Sequence, residues 1–155
     1  MTNKPSKGRL FLIDGNSFCY RAFYAIQGLA NSKGEPTNAI YGFVTMMRKL
    51  VSDHKPEHIA VCFDPKGKTF RHEQYQDYKA HRKPMPDELV SQIEPIKEFC
   101  RLSRFAIYEK PGFEADDVIG TIAVAAKKTG METFIVTGDK DAFQLVDDRI
   151  KVLQP

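Results

Sequence analysis

Short, uninterrupted apolar runs that stop at an acid recur along this chain. RLFLI at 9–13 runs into Asp14, HIAVCF at 58–63 into Asp64, and ETFIVT at 132–137 into Gly138-Asp139. A strand with one wet face alternates apolar and polar residues, whereas a run that is apolar throughout is buried on both faces, as in a parallel sheet. FAIY at 105–108 and RIKVL at 149–153 read as two further short strands.

Helical spacing fills the gaps between these runs. Residues 16–28 form one such segment, with Gly28 as its stop. Residues 38–52 form another, with Ile40, Phe43, Val44, Met47 and Val51 on one face and Thr37 or Asn38 as cap. Leu89, Ile93, Ile96 and Cys100 line one side of 87–102, where Pro95 predicts a kink. Val118, Ile119, Ile122 and Ala126 do the same over 114–128, with Gly130 as stop. Strand alternating with helix predicts an α/β domain built on a parallel sheet with helices on both faces. The stretch 64–86 breaks this order: it is polar, basic and ends in prolines, and it reads as an excursion from the compact body.

Ligands of open α/β sheets bind beyond the carboxyl ends of the strands, so Asp14, Asp64 and Asp139 converge at one edge. Glu114, Asp116 and Asp117 open the helix after the 105–108 strand, and Asp141 follows Asp139 by two residues. Each acid alone also suits a bland role, since Asp-Gly, Asp-Pro and Gly-Asp start turns and acids stabilise helix N-termini. All three strand ends together point further. Seven carboxylates in one region repel unless cations neutralise them, and hard oxygen donors suit Mg²⁺ or Mn²⁺. Two such ions about 4 Å apart activate water and stabilise a leaving oxygen in phosphodiester hydrolysis.

The charge distribution adds a partner. From Lys66 to Lys83 there are six Lys or Arg against two acids, a net of +4 in a chain whose total is +3, so the remainder is slightly acidic. Within KTFRHEQYQDYKAHRK at 68–83 the cations interleave with Phe70, Tyr75 and Tyr78. Cations neutralise phosphates and aromatic faces stack on unpaired bases, although for a charge run alone a solvated surface helix is the favoured explanation. The 11 Phe and 6 Tyr argue against disorder. No apolar stretch approaches the roughly 20 residues of a membrane span. Cys19, Cys62 and Cys100 are odd in number and lack CxxC spacing, which fits a reducing compartment, and a cytoplasmic chain is expected. His54, His58, His72 and His81 lack ligand spacing, and Cys62, Phe11, Phe43 and Phe63 read as core.

Four blocks now stand in order: strand-then-Asp14 with YRAFYA at 20–25, FDPKGKTFRHEQYQDYKAHR at 63–82, GFEADDVIGTIA at 112–123 and TGDKDAFQLV at 137–146. In combination they resemble the N-terminal 5′-nuclease domain of bacterial DNA polymerase I, of the flap endonuclease family, collinearly from about residue 9 to 153. The resemblance implies a PIN-like, Rossmann-like α/β fold, with the 64–86 excursion forming a basic helical arch. It also implies two Mg²⁺ ions, with Mn²⁺ as a substitute, and structure-selective 5′-3′ exonuclease and flap endonuclease activity in replication and repair. The implied partners are DNA with a 5′ flap or 5′ end and RNA primer–DNA hybrids, in the bacterial cytoplasm at the nucleoid.

By matching position, Asp14, Asp64, Glu114 and Asp116 resemble ligands of the first metal, with Asp116 shared and Asp117 acting through water. Asp139 and Asp141 resemble ligands of the second. Lys79 would stabilise charge at the scissile phosphate, and Arg82 would hold the backbone, with Lys83 beside it. Arg71 and Tyr75 would position the strand, and Arg21 would lie near the same cleft. Residues 1–155 correspond to the catalytic part of such a domain. The family's further aspartates, its helix-hairpin-helix element and any polymerase domain lie beyond Pro155, so an incomplete second metal site and DNA binding without turnover stand as the rival expectation. A haloacid dehalogenase-type phosphatase needs DxD after its first strand, where this chain has Asp14-Gly15-Asn16. A Toprim domain needs a strand-ending Glu that is absent here.

Overall fold

The computed structural model describes residues 7–65 and 84–155. Among them, five strands form one parallel sheet in the order β3-β2-β1-β4-β5. The strands are β1 Arg9–Asp14, β2 His58–Cys62, β3 Ala106–Tyr108, β4 Glu132–Val136 and β5 Ile150–Leu153. The helices are α1 Gly15–Ala25, α2 Asn38–His54, α3 Asp87–Leu102 and α4 Ala115–Lys128, with a 3₁₀ helix at Lys140–Leu145. None is long and apolar enough to cross a membrane. Most of the expected basic excursion, residues 66–83, lies outside the described residues.

β1 is central, and its side chains alternate between two cores, as the period of a strand requires. Phe11 and Ile13 point into a core with Phe18, Phe43, Met47, Leu89 and Ile96 from α1, α2 and α3. Leu10 and Leu12 point into the other, with Ile119, Ala123 and Ala126 from α4. Both faces are therefore dry, which is why the run is apolar throughout. Coverage is uneven: three helices lie over one face, and α4 with the 3₁₀ helix over the other. Phe11, Phe43, Phe63 and Cys62 are buried, as expected.

Several element ends differ from the sequence reading, each for a tertiary reason. α1 stops at Ala25, before Gly28, because the Asn38 amide donates to the carbonyls of Phe23 (2.9 Å) and Ile26 (2.8 Å) and so satisfies its last turn. Neither Thr37 nor Asn38 caps α2 through its side chain; the amide of Ile40 donates instead to Gln92 Oε1 at 3.0 Å, from α3. Gln92 in turn donates to Asn38 Oδ1 at 2.8 Å, so this buried polar set is internally satisfied. α3 runs unbroken through Pro95.

Gly15 marks where β1 passes into α1. A Cβ there would lie 2.6 Å from the Phe63 ring and 2.9 Å from the Cys62 carbonyl, so only glycine lets the first two strand exits approach this closely. Phe63 also carries the Lys97 ammonium, 5.2 Å from the ring centroid. Lys97 is itself buried and paired with Glu109 at 2.7 Å.

Candidate active site

β1 is flanked by β2 and β4, and the sequence-order neighbours on its two sides run outwards in opposite directions. The chain leaves β1 into α1 over one face and leaves β4 into the 3₁₀ helix over the other. Such a parting of the chain opens a crevice at the carboxyl ends of the strands, where ligands of this fold class bind. Here the crevice is a cavity of about 250 Å³ lined by Asp14, Asn16, Ser17, Tyr20, Asp64, Glu114, Ala115, Asp116, Asp139 and Asp141. Six of the seven predicted acids line it.

The bland and the functional readings of these acids turn out to be compatible. Asp14 caps α1, its Oδ1 accepting from the Ser17 amide at 3.1 Å, and its Oδ2 accepts from the Thr137 hydroxyl at 2.9 Å. Asp64 Oδ1 accepts from the amide of Ala115, the first residue of α4, at 2.7 Å. Its own amide donates to Asn16 Oδ1 at 2.9 Å, which ties the β2 exit to α1. Glu114 is the N-cap residue of α4. Asp139 caps the 3₁₀ helix, its Oδ1 accepting from the Asp141 amide at 2.9 Å. Caps and strand ends therefore aim acids at one point, and the amino ends of α1 and α4 bring partial positive charge to it.

That compensation is incomplete. Burial raises the Asp14 carboxyl above its ordinary value; the Ser17 and Thr137 hydrogen bonds oppose the shift, and the charges of Asp64 and Asp139 add to it. Burial likewise pushes Asp116 up to about 7, and Asp14, Asp139, Asp64 and Glu114 all push the same way. Asp116 still keeps an open face to solvent. The two facts agree for a narrow cleft that is crowded by protein atoms without being closed. Among the described residues, no Lys or Arg forms a salt bridge with Asp14, Asp64, Asp116, Asp139 or Asp141. Nor do three Asp, Glu, His or Cys side chains close into a ready-made metal cage there. The donor set is nonetheless all oxygen and strongly anionic, which fits hard divalent cations.

The remaining predicted residues fall elsewhere. Asp117 does not line the cavity; its Oδ2 accepts from the Glu114 amide at 3.0 Å, closing a capping box, and it borders a larger neighbouring groove between α4 and the 3₁₀ helix. Arg21 is exposed on α1, next to Tyr20, and is not among the residues lining the cavity. Arg71, Tyr75, Lys79, Arg82 and Lys83 lie outside the described residues. Sequence reasoning passed over Asn16, Ser17, Tyr20 and Thr137 as site residues. Their signal was position alone: each lies within six residues of a strand-ending acid.

Residues 9–155 match the family model for the 5′-3′ exonuclease N-terminal resolvase-like domain. Over 149 residues the chain is 46% identical to thermostable DNA polymerase I of Thermus thermophilus, an alignment that covers 96% of this chain and 18% of that protein. Among solved structures it resembles the bacteriophage T5 5′-exonuclease with bound zinc, at a TM-score of 0.75 and 18% identity, covering 94% of this chain and 55% of that one. It also resembles the T5 flap endonuclease in a pseudo-enzyme-product complex with DNA and metal ions, at a TM-score of 0.70 and 18% identity, covering 94% and 54%. The expected PIN-like fold is the fold found.

Proposed function

The chain belongs to the family of 5′-3′ exonuclease N-terminal resolvase-like domains, and on that premise we propose that it is the catalytic part of a DNA polymerase I-type nuclease. It hydrolyses phosphodiester bonds next to a 5′ end or flap in DNA, and in RNA primers paired to DNA, in the bacterial cytoplasm at the nucleoid. The chain spans less than a fifth of the length of the polymerases it matches; we assign the duplex-gripping helix-hairpin-helix part and the polymerase to the remainder of such proteins. One observation carries the reading. Six carboxylates from four segments of the chain line one cavity, where burial first and the neighbouring acids second raise Asp116 to about 7.

In this reading Asp14, Asp64, Glu114 and Asp116 hold one divalent ion, and Asp139 and Asp141, with Asp116 shared, hold a second. Mg²⁺ fits this donor set, with Mn²⁺ as a substitute. When bound, such ions make water a nucleophile at neutral pH and stabilise the departing 3′ oxygen. The protein's part is orientation. The Ala115 amide fixes one oxygen of Asp64, the Ser17 amide and Thr137 hydroxyl fix both oxygens of Asp14, and Asp117 positions Glu114 through its backbone amide. Burial and the neighbouring acids raise the Asp116 carboxyl to about 7. As a ligand it would have to be in its carboxylate form, so cation binding there would favour loss of its proton. Lys79 and Arg82 act on the scissile phosphate and the adjoining backbone, while Arg21, Arg71, Tyr75 and Lys83 guide the single strand.

The test is a 5′-labelled flap duplex incubated with the chain and Mg²⁺, then Mn²⁺, beside Asp139→Ala. Metal-dependent cleavage that disappears in the variant supports the proposal. Salt-sensitive DNA binding with no cleavage under either ion would replace it with a binding module that does not turn over.

A further inference from the structure

We infer that the hydroxyls of Thr137 and Ser17 are positioning groups of this site, a two-rung brace that sets Asp14 against Asp139 where β1 and β4 part. The inference rests on the metal-dependent reading above and adds to it residues that touch no reacting atom. β1 and β4 are paired through Ile13 and Val136. One residue further on the strand ladder ends, because one chain turns towards α1 and the other towards the 3₁₀ helix. Backbone pairing no longer fixes the separation of the two acids there. Side-chain hydroxyls take over.

Thr137 is 2% exposed. Its Oγ1 accepts from the Asp139 amide at 3.0 Å and donates to Asp14 Oδ2 at 2.9 Å. The direction is fixed by proton count: an amide only donates, so the single hydroxyl proton goes to the carboxylate. Ser17 makes the parallel rung. Its amide donates to Asp14 Oδ1 at 3.1 Å and its Oγ accepts from the Gly138 amide at 3.0 Å. Each oxygen of Asp14 thus has one donor from this brace, and each rung ends on a backbone amide of the loop that carries Asp139. Threonine suits the buried rung because its β-branching holds χ1 stiff. Partners that orient metal ligands in this way cost about 10–100-fold in metal affinity when removed.

The experiment compares the parent chain with Thr137→Val, which keeps the shape and loses the hydroxyl, Thr137→Ser, which keeps the hydroxyl, and Ser17→Ala. Two readouts are taken: amide hydrogen exchange at Gly138 and Asp139 without metal, and calorimetric titration with Mn²⁺. Thr137→Val should speed exchange at Asp139 about tenfold, the worth of one hydrogen bond, and weaken Mn²⁺ binding at least about tenfold. Thr137→Ser should restore both. Ser17→Ala should speed exchange at Gly138 and weaken Mn²⁺ binding by a smaller factor, and it carries the test if Thr137→Val does not fold. Unchanged exchange overturns the brace. Faster exchange with parent-like Mn²⁺ affinity, or a serine variant that fails to rescue, overturns the positioning role alone. A parent chain that takes up no Mn²⁺ overturns the proposed function, and the positioning role with it.

Discussion

The two ends of the sheet both carry charge, and they treat it in opposite ways. At the amino end Arg9 begins β1, and its guanidinium donates to the carbonyls of His54 and Lys55, at 2.5 and 2.8 Å, and to the Glu57 carboxylate at 3.2 Å. It thereby satisfies the last turn of α2, and the Glu57 carboxyl is held below its ordinary value first by its own backbone amide and then by the Arg9 contacts. The positive charge is answered on the spot. At the carboxyl end six acids share one cavity, and among the described residues no cation forms an ion pair with Asp14, Asp64, Asp116, Asp139 or Asp141. One end is a clasp. The other is left unbalanced among the described residues, and an unbalanced cluster of like charges is where a ligand of opposite charge gains most.

The sharpest way to break this contrast is to remove one acid from the carboxyl end and the arginine from the amino end. Asp14→Ala should lower flap cleavage at least about 100-fold, since a lost ligand costs no less than a lost partner of a ligand; Arg9→Ala should cleave like the parent. Equal losses in a cleavage assay would remove the distinction between the ends. Next in size is the response to metal. Mg²⁺ at about a hundred times its Kd should stabilise the chain by about 2.7 kcal/mol, a rise of roughly 5–10 °C in Tm for a domain of this size. Differential scanning calorimetry should see that rise in Arg9→Ala and lose most of it in Asp14→Ala.

Arg9→Ala itself should cost about 1–2 kcal/mol in urea unfolding, from hydrogen bonds to the α2 carboxyl end that no other group replaces. Smallest is a pH effect confined to the acid end. Asp116 binds its proton more tightly when folded, with its pKa raised from 3.8 to about 7, so its ionisation lowers native stability above that range and does not below 3.8. Without metal, Asp116→Asn should therefore be more stable than the parent at pH 8, and the gap should close as pH falls from 7 towards 4. A gap that stays constant across that range would show that folding does not make Asp116 hold its proton more tightly.

The sequence was most legible where a residue's environment is set by its immediate neighbours. The continuous runs at 9–13, 58–63 and 132–137 foretold strands buried on both faces, and the helices at 87–102 and 114–128 lie within a residue of their expected ends. The acids at the strand ends were equally plain, since a carboxylate that ends a buried strand in an α/β sheet has only the carboxyl edge to occupy. What failed locally depended on distant partners. The cap of α2 comes from Gln92, 52 residues from Ile40, and the end of α1 is closed by Asn38. Asp117 adjoins Asp116 in the sequence, yet one position along a helix turns a side chain by about 100°, and its carboxylate closes the capping box of α4 without lining the cavity.

Periodicity, composition and the four motif blocks thus determined a parallel α/β domain, its family and the acids that come to line one cavity, because burial pattern and residue chemistry are local properties. Only the tertiary structure decided the strand order β3-β2-β1-β4-β5, which six acids share the cavity, and how they are held. The bond from Thr137 to Asp14 spans 123 residues, and that from Ala115 to Asp64 spans 51. Contacts at such separation arise from how strands pair and where the chain changes face, and no local pattern encodes either.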